Sequence, residues 1–320
     1  MHIHRTLALA AGVLTALAGA GAATAGPSEQ LLRQHRPVLV LHPTEELRPT
    51  SVESFVRDSS LERLTAGGWE IVDPAPTVDT LPTASPPVWR LNQRECFAGA
   101  PLGDLGCYAA AAAGEPGPVV YGRVAHDRGR TVLQYWLFYY DNVYRYPFLP
   151  TGAIWQSHEG DWEVVNVVLG PGRKPVAVGL SQHCSGETRD WRDAPRHGRR
   201  PIVHVALGSH ANFFEPGVHE FDRRCLPPEV VGFFAQAGLP LPADVAATGR
   251  STGAPGASGY EIRTIRTGSP RWVAFPGFWG ELEYFHAPPP VGTVPFGTGP
   301  VGPAFHDVWD EPTATLATWR

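Results

Sequence analysis

Thirty-five glycines and 33 prolines are spread through 320 residues, and they chop this chain into short elements joined by turns. Between those breaks the composition is that of strands. Residues 119–125 and 131–140 are β-rich runs on either side of His126-Asp127-Arg128-Gly129-Arg130, which reads as a hairpin. Residues 162–169 and 176–182 flank Gly170-Pro171-Gly172-Arg173-Lys174 and read as a second one. Residues 37–41 (PVLVL) and 202–207 are further strands. Helices are few. Thr50-Ser51-Val52-Glu53 has capping-box spacing ahead of a short helix reaching Leu64, and Pro228 to Ala237 is a helix closed by Gly238. Residues 73–90 are a Pro-rich surface connection, and 246–259 are a flexible loop by composition. Short strands at hairpin spacing predict a mainly β chain: an antiparallel β-sandwich with a few short helices and long Gly/Pro-rich loops.

The first 25 residues read as an export leader. His2, His4 and Arg5 precede a small, apolar run from Leu7 to Ala23, and Ala23-Thr24-Ala25 is a small-x-small cleavage site. Residues 26–320 are then expected to form a single secreted domain with an N-terminal helical segment and an aromatic C-terminal extension. No later segment is apolar enough to span a membrane. The four cysteines, Cys96, Cys107, Cys184 and Cys225, all fall in the exported part. An even count in an oxidising compartment favours two disulfides. Chain order suggests Cys96–Cys107 and Cys184–Cys225, although four cysteines allow three pairings. A formal charge of −5, with 26 basic residues scattered along the chain, gives no electrostatic footprint for nucleic acid.

The sharpest chemical feature is Ser157-His158-Glu159-Gly160-Asp161-Trp162-Glu163, expected at the entry to a strand. Side chains alternate along a strand, so Asp161 and Glu163 share a face and Trp162 takes the other. Gly160 allows a bend that brings His158 round to them. Carboxylates and an imidazole converging on one spot repel unless a cation or protons lie between them. Such mixed ligands suit Mg, Ca, Mn or Zn. Asp141, at the end of the aromatic strand QYWLFYYD, His183, after the following strand, and His210, in Gly208-Ser209-His210, are expected to reach the same place. The metal set predicted from these placements is Asp141, His158, Asp161 and Glu163, with His183 or His210 beside them. Glu163, His183 and His210 are candidate general bases if the site is catalytic. Ser181 and Ser209 lie near histidines but in no nucleophile elbow.

Two resemblances follow from these motifs. RPVLVLHPTEELRPTSVESF, HEGDWE, RPIVHVALGSHANFFEPG and FPGFWG together resemble the vacuolar protein sorting-associated protein 62 family, from about Pro37 to Trp309. That resemblance implies no defined biochemical activity. More distantly, the chain is similar to the necrosis- and ethylene-inducing cytolysins, secreted β-sandwich proteins with a GHRHDWE heptapeptide. Those proteins bind a divalent metal and, through it, the sugar head groups of plant sphingolipids. His158, Asp161 and Glu163 match the heptapeptide's first histidine, aspartate and glutamate. Asp141 looks like the aspartate that those proteins add to the metal site. His183 in SQHCSG is similar to their downstream S-x-H-G histidine. Ser157, Glu159 and Gly160 replace the motif's glycine, arginine and second histidine, so the surface around the ion differs.

Together these features predict a secreted, metal-dependent binder of a polar glycan or lipid head group. A metal-dependent hydrolase or lyase at the same site, and a structural cell-surface module without a metal, stay open as alternatives.

Overall fold

A computed structural model describes residues 26–100, 105–114, 117–149, 152–247 and 259–314. The leader expected at 1–25, and most of the loop expected at 246–259, lie outside the described residues. The chain is mainly β. Its largest sheet is centred on two long strands, Arg130–Arg145 and Trp155–Leu169, paired antiparallel along nearly their whole length. Val119–Asp127 and then Glu261–Thr264 continue this sheet on one side. On the other side, two different strands share the edge of Trp155–Leu169. Glu283–Ala287 pairs with its residues 155–157, and Pro175–Gln182 pairs with its residues 165–169. Neither ladder reaches residues 158–164, so the HEGDWE segment sits in a gap in the sheet edge.

The two long strands owe their length to what they carry. Val132 through Tyr144 is an unbroken buried run, because both faces of this strand are covered. On one face Trp136 and Phe138 join Trp162, whose ring lies 4.7 Å from Phe138, 5.5 Å from Trp279 and 5.9 Å from Trp272 between centroids. Aromatic rings of this size bury a large apolar area each. A smaller sheet, built from Val38–Leu41, Arg196–His197, Arg200–Val205 and Asn212–Phe213, contributes Leu39, Leu41, Val203 and Val205 to the same core. A third sheet comprises Ser59–Thr65, Gly68–Asp73, Trp89–Gln93 and Phe278–Trp279.

Both expected hairpins are present, and the helix Pro228–Ala237 ends at Gly238 in the left-handed conformation (φ 65°). Three expectations are corrected. The helix expected after Thr50 covers only Val52–Asp58, and Ser59–Thr65 is a strand, held by pairing to Trp89–Gln93 and by the Ser59 hydroxyl donating to the Phe55 carbonyl at 2.6 Å. Not all pairing is antiparallel: Val38–Leu41 runs parallel to residues 202–205, Glu261–Thr264 parallel to 119–122, and Phe278–Trp279 parallel to 90–91. HEGDWE lies inside a strand rather than at its entry, and Asp141 is four residues short of its strand's end.

Disulfides join Cys96 to Cys107 and Cys184 to Cys225. The second closes a sequence separation of 41 residues. Loop-closure entropy at that length is worth about 3–4 kcal/mol. A Cys184→Ala/Cys225→Ala variant should lose about that much in urea unfolding. A loss below about 1 kcal/mol would show that the reduced chain is already restrained there.

Candidate functional site

Asp161 lies opposite Tyr139, Glu163 opposite Leu137, and Trp162 opposite Phe138, so the alternation of side chains expected for the motif is realised. Gly160 is the hinge of the segment. Its φ is +60°, and a Cβ added there would lie 1.9 Å from the Trp279 carbonyl oxygen. Only glycine permits both the left-handed backbone and that approach. Glu159, the residue before it, is fully buried and turned toward the third sheet. It accepts hydrogen bonds from the backbone N–H of Gln93 (2.9 Å) and Glu281 (3.3 Å) and from the Tyr108 hydroxyl (3.2 Å). Glu159 therefore anchors the motif.

Asp161 meets His210 across the core. Its Oδ2 lies 2.9 Å from His210 Nδ1, and His210 Nε2 lies 3.8 Å from a carboxylate oxygen of Glu45. The imidazole is fully buried and stacks on Tyr139 at 3.8 Å with an interplanar angle of 2°. Burial alone would lower its pKa, but Asp161 and Glu45 more than reverse that and push it up to about 10. His210 is therefore an imidazolium between two carboxylates. Its turn is tied to the main sheet by Val143 N–H to the Gly208 carbonyl (2.9 Å) and by the Asn142 amide to the Ser209 carbonyl (3.2 Å).

Glu163 accepts a short hydrogen bond from the Ser181 hydroxyl and a 3.3 Å bond from the Asn212 amide. Burial, then the Asp161 charge, raises its pKa well above the usual carboxylate range. Asp141 is buried, with 2 % of its surface exposed, and its Oδ2 has no hydrogen-bond partner. Burial pushes its pKa up to about 8; Glu45 and Asp161 add to the rise, and His210 offsets part of it. Asp141, Asp161, Glu163 and His210 thus share one buried region.

The other two predicted residues flank it. His158 is half-buried, and its Nδ1 donates to the Gly160 carbonyl at 2.7 Å, which leaves Nε2 as the atom with the lone pair. His183 turns through the left-handed region (φ 54°), and its Nε2 lies 2.9 Å from Asp244 Oδ2. The other Asp244 oxygen accepts from the Ser209 hydroxyl. Burial lowers the His183 pKa, but the buried Asp244 charge outweighs this and raises it. Glu283, which enters from the strand paired to residues 155–157, faces the same imidazoles. Burial raises its pKa, and the charges of His158 and His183 partly offset that.

Sequence reasoning missed Glu45, Asp244 and Glu283. Each is an isolated acid with no spacing relation to the motif, so nothing local marks it. The donor chemistry of the region, carboxylates with imidazole, fits a divalent cation, and the orphaned Asp141 oxygen is the atom that most needs one. In the arrangement observed, however, no three His, Cys, Asp or Glu side chains among the described residues form a metal-holding group. Asp161 is drawn to His210 and Glu163 to Ser181 instead.

Beside this region the gap in the sheet edge opens into a cleft of about 830 Å³. Trp136, Trp162 and Val164 line it from the main sheet, the 181–185 turn from one side, and residues 306–314 from the other. No helix among the described residues is long and apolar enough to cross a membrane.

No family model matches this chain, and no curated protein matches it. Among solved structures it is similar to the NLPPya protein in complex with mannosamine, with 15 % identity over 60 % of this chain and 68 % of that one and a TM-score of 0.34. It is also similar to a structure described as a toxin fold for microbial attack and plant defense, with 15 % identity, 55 % and 60 % coverage and a TM-score of 0.31. A third is the necrosis and ethylene inducing protein 2 from the causal agent of cocoa's witches' broom disease, with 15 % identity, 56 % and 61 % coverage and a TM-score of 0.29. The chain thus spans about three-fifths to two-thirds of the length of these structures.

Proposed function

We propose that this chain is a secreted binding protein that recognises a polar, hydroxyl-rich ligand, a glycan or a lipid head group, with the help of a divalent cation. Asp141, Asp161, Glu163 and His158 would hold the ion, with His183 beside them. A hard cation with open positions supplies a Lewis-acidic contact for ligand hydroxyls. The observation that carries the reading is Asp141: a buried carboxylate with an unpartnered oxygen, beside the further carboxylates of Glu45 and Asp161. Such a group is costly unless a proton or a cation neutralises it. His158 adds a lone pair already oriented by its bond to the Gly160 carbonyl. Occupation by an ion would draw Asp161 off His210 and Glu163 off Ser181. Secretion is supported by the two disulfides and the leader-like start.

Asp141→Asn separates cation from proton. The amide matches a protonated carboxyl in shape but cannot become a charged ligand. The metal-free variant should melt at or above the metal-free wild-type temperature, because a buried acid has been made neutral. Wild-type Tm should rise with Ca, Mg, Mn or Zn at about 1 mM and fall back with chelator, whereas the variant should bind metal about tenfold more weakly or worse. Equal metal content in the two proteins by elemental analysis would overturn the cation reading, as would a wild-type Tm indifferent to all four ions.

A further inference from the structure

We propose that Arg36, Arg199 and Arg200 form a binding site for a phosphate monoester, where the helix Pro27–His35 meets the hairpin at residues 196–200. This goes beyond the glycan reading and uses none of the buried carboxylates. Arg36 ends the helix and leads through Pro37 into the strand Val38–Leu41. That strand pairs in parallel with residues 202–205, Val38 against Ile202. Continuing the register two residues back sets Arg36 beside Arg200. The hairpin tip is fastened to the helix end by two bonds. The buried His35 ring meets the Arg199 carbonyl through Nδ1 at 3.1 Å, and Arg200 Nε donates to the Arg36 carbonyl at 3.1 Å. The Tyr260 ring, fixed by its hydroxyl bond to the Pro37 carbonyl (2.7 Å), lies 5.9 Å below the Arg36 guanidinium. Backbone contacts thus gather three guanidinium groups at one place, and groups positioned in advance lose little entropy when a ligand arrives.

Like charges side by side across a sheet repel, and the repulsion is visible here. Burial lowers the Arg200 pKa, and the Arg36 charge lowers it further. At His35 burial is again the largest cause; the bond to the Arg199 carbonyl offsets part of it, and the Arg199 charge adds to it. Among the described residues neither Arg36 nor Arg199 forms an ion pair with an acid. Arg33 in the same helix is taken by Glu29, and Arg192 in the loop before the hairpin by Asp190 and Asp193. Arg196 is spent on the carbonyls of Trp191, Arg192 and Ala194. The helix C-terminus offsets the equivalent of only about half a charge, which leaves a local surplus of about +2.5. The chain as a whole is at −5, so this surplus runs against its average. A phosphate monoester carries about −1.5 to −2 at pH 7 and presents three acceptor oxygens. Arginine forks match those oxygens in geometry as well as in charge. A phosphodiester brings a single charge and fewer free oxygens, and should be held less well.

The test uses the disulfide-bonded protein in chelator, so that no cation at the carboxylate cluster supplies the contact. Isothermal titration with glucose 6-phosphate should give a Kd of about 1 mM or tighter, and dimethyl phosphate at matched ionic strength should bind at least about tenfold more weakly. Arg36→Gln and Arg199→Gln should each weaken glucose 6-phosphate by about tenfold or more. Neither should lower the ligand-free Tm, because each removes a repelled charge; a merely structural arginine would lower Tm and leave affinity alone. The proposal is overturned if glucose 6-phosphate fails to bind at about 10 mM, if dimethyl phosphate binds equally well, or if both variants bind like the wild type. Asp141→Asn should keep the wild-type affinity, and loss of binding there would move the phosphate to the carboxylate cluster and overturn the site. Sedimentation with phosphatidylcholine vesicles containing about 10 % phosphatidylinositol 4-phosphate then identifies the source. Co-sedimentation that Arg199→Gln abolishes supports the site with the phosphate on a lipid. Glucose 6-phosphate binding without co-sedimentation supports it with the phosphate on a saccharide.

Discussion

Gly160→Ala should be among the most damaging single-methyl changes in this protein, costing about 4 kcal/mol or more and visible as lost soluble yield or a collapsed denaturant midpoint. Two costs add. A left-handed backbone at a residue with a Cβ costs about 1–2 kcal/mol. The new methyl would also lie 1.9 Å from the Trp279 carbonyl oxygen. That carbonyl cannot retreat cheaply, because the Trp279 ring is fully buried against Phe55, Phe138, Trp162, Trp272 and Phe275. On the other side of the contact, a Cβ on Gly280 would meet the Glu159 carbonyl at 2.1 Å, so the two chain segments are locked back to back. Gly129→Ala supplies the control. It too has positive φ (73°), but no atom lies within 4 Å of its added Cβ, so it should cost only the backbone part, about 1–2 kcal/mol. If the two variants prove equally stable, the close approach at Gly160 is not a constraint, and the motif is not fixed by Trp279.

Gly160 also marks where the sequence is legible and where it is not. Its freedom to bend is readable from residue type, but the carbonyl that demands it comes from a tail residue more than a hundred positions away. The same division holds for the fold. The hairpins around 126–130 and 170–174, and the helix closed by Gly238, follow from turn chemistry within a few residues, and each is present. For Ser59–Thr65 the only nearby marker in the sequence is the Thr50–Glu53 capping pattern, which points to helix. Its actual determinant is pairing with Trp89–Gln93, about thirty residues on. Parallel partners such as Val38 and Ile202 are farther apart still, and strand composition carries no direction. In the site, alternation alone sets Asp161 and Glu163 on one face. The acids that complete the region, Glu45 in a loop and Asp244 and Glu283 on short strands, have no local pattern to betray them.

His210→Ala should destabilise the protein by about 3–5 kcal/mol, the usual cost of removing one member of a buried ion pair. The side chain is fully buried and is the cation between Asp161 and Glu45, with Asp141 close enough to feel its charge. Removing it takes away the imidazolium that lies between Asp161 and Glu45. His210→Asn restores a hydrogen-bond donor and tolerates the φ of +55°, yet cannot carry charge or stack on Tyr139, so it should recover only part of the loss. The pH dependence provides a second readout. The folded-state pKa of His210 is raised to about 10 from 6.5, so its contribution is fully present below about pH 6.5 and disappears as pH climbs toward 10. Asp141 acts in the same sense over a lower window. Its folded pKa of about 8 against 3.8 means that the folded state holds a proton the unfolded chain releases, and stability falls as pH rises between those values. Wild-type stability should therefore decline from pH 6 to pH 10, and the decline should be shallower in His210→Asn. A wild-type profile flat across that range would mean that the imidazole is neutral in the folded protein. The Asp161–His210 contact would then be an ordinary hydrogen bond rather than part of a charge centre around which the buried carboxylates are arranged.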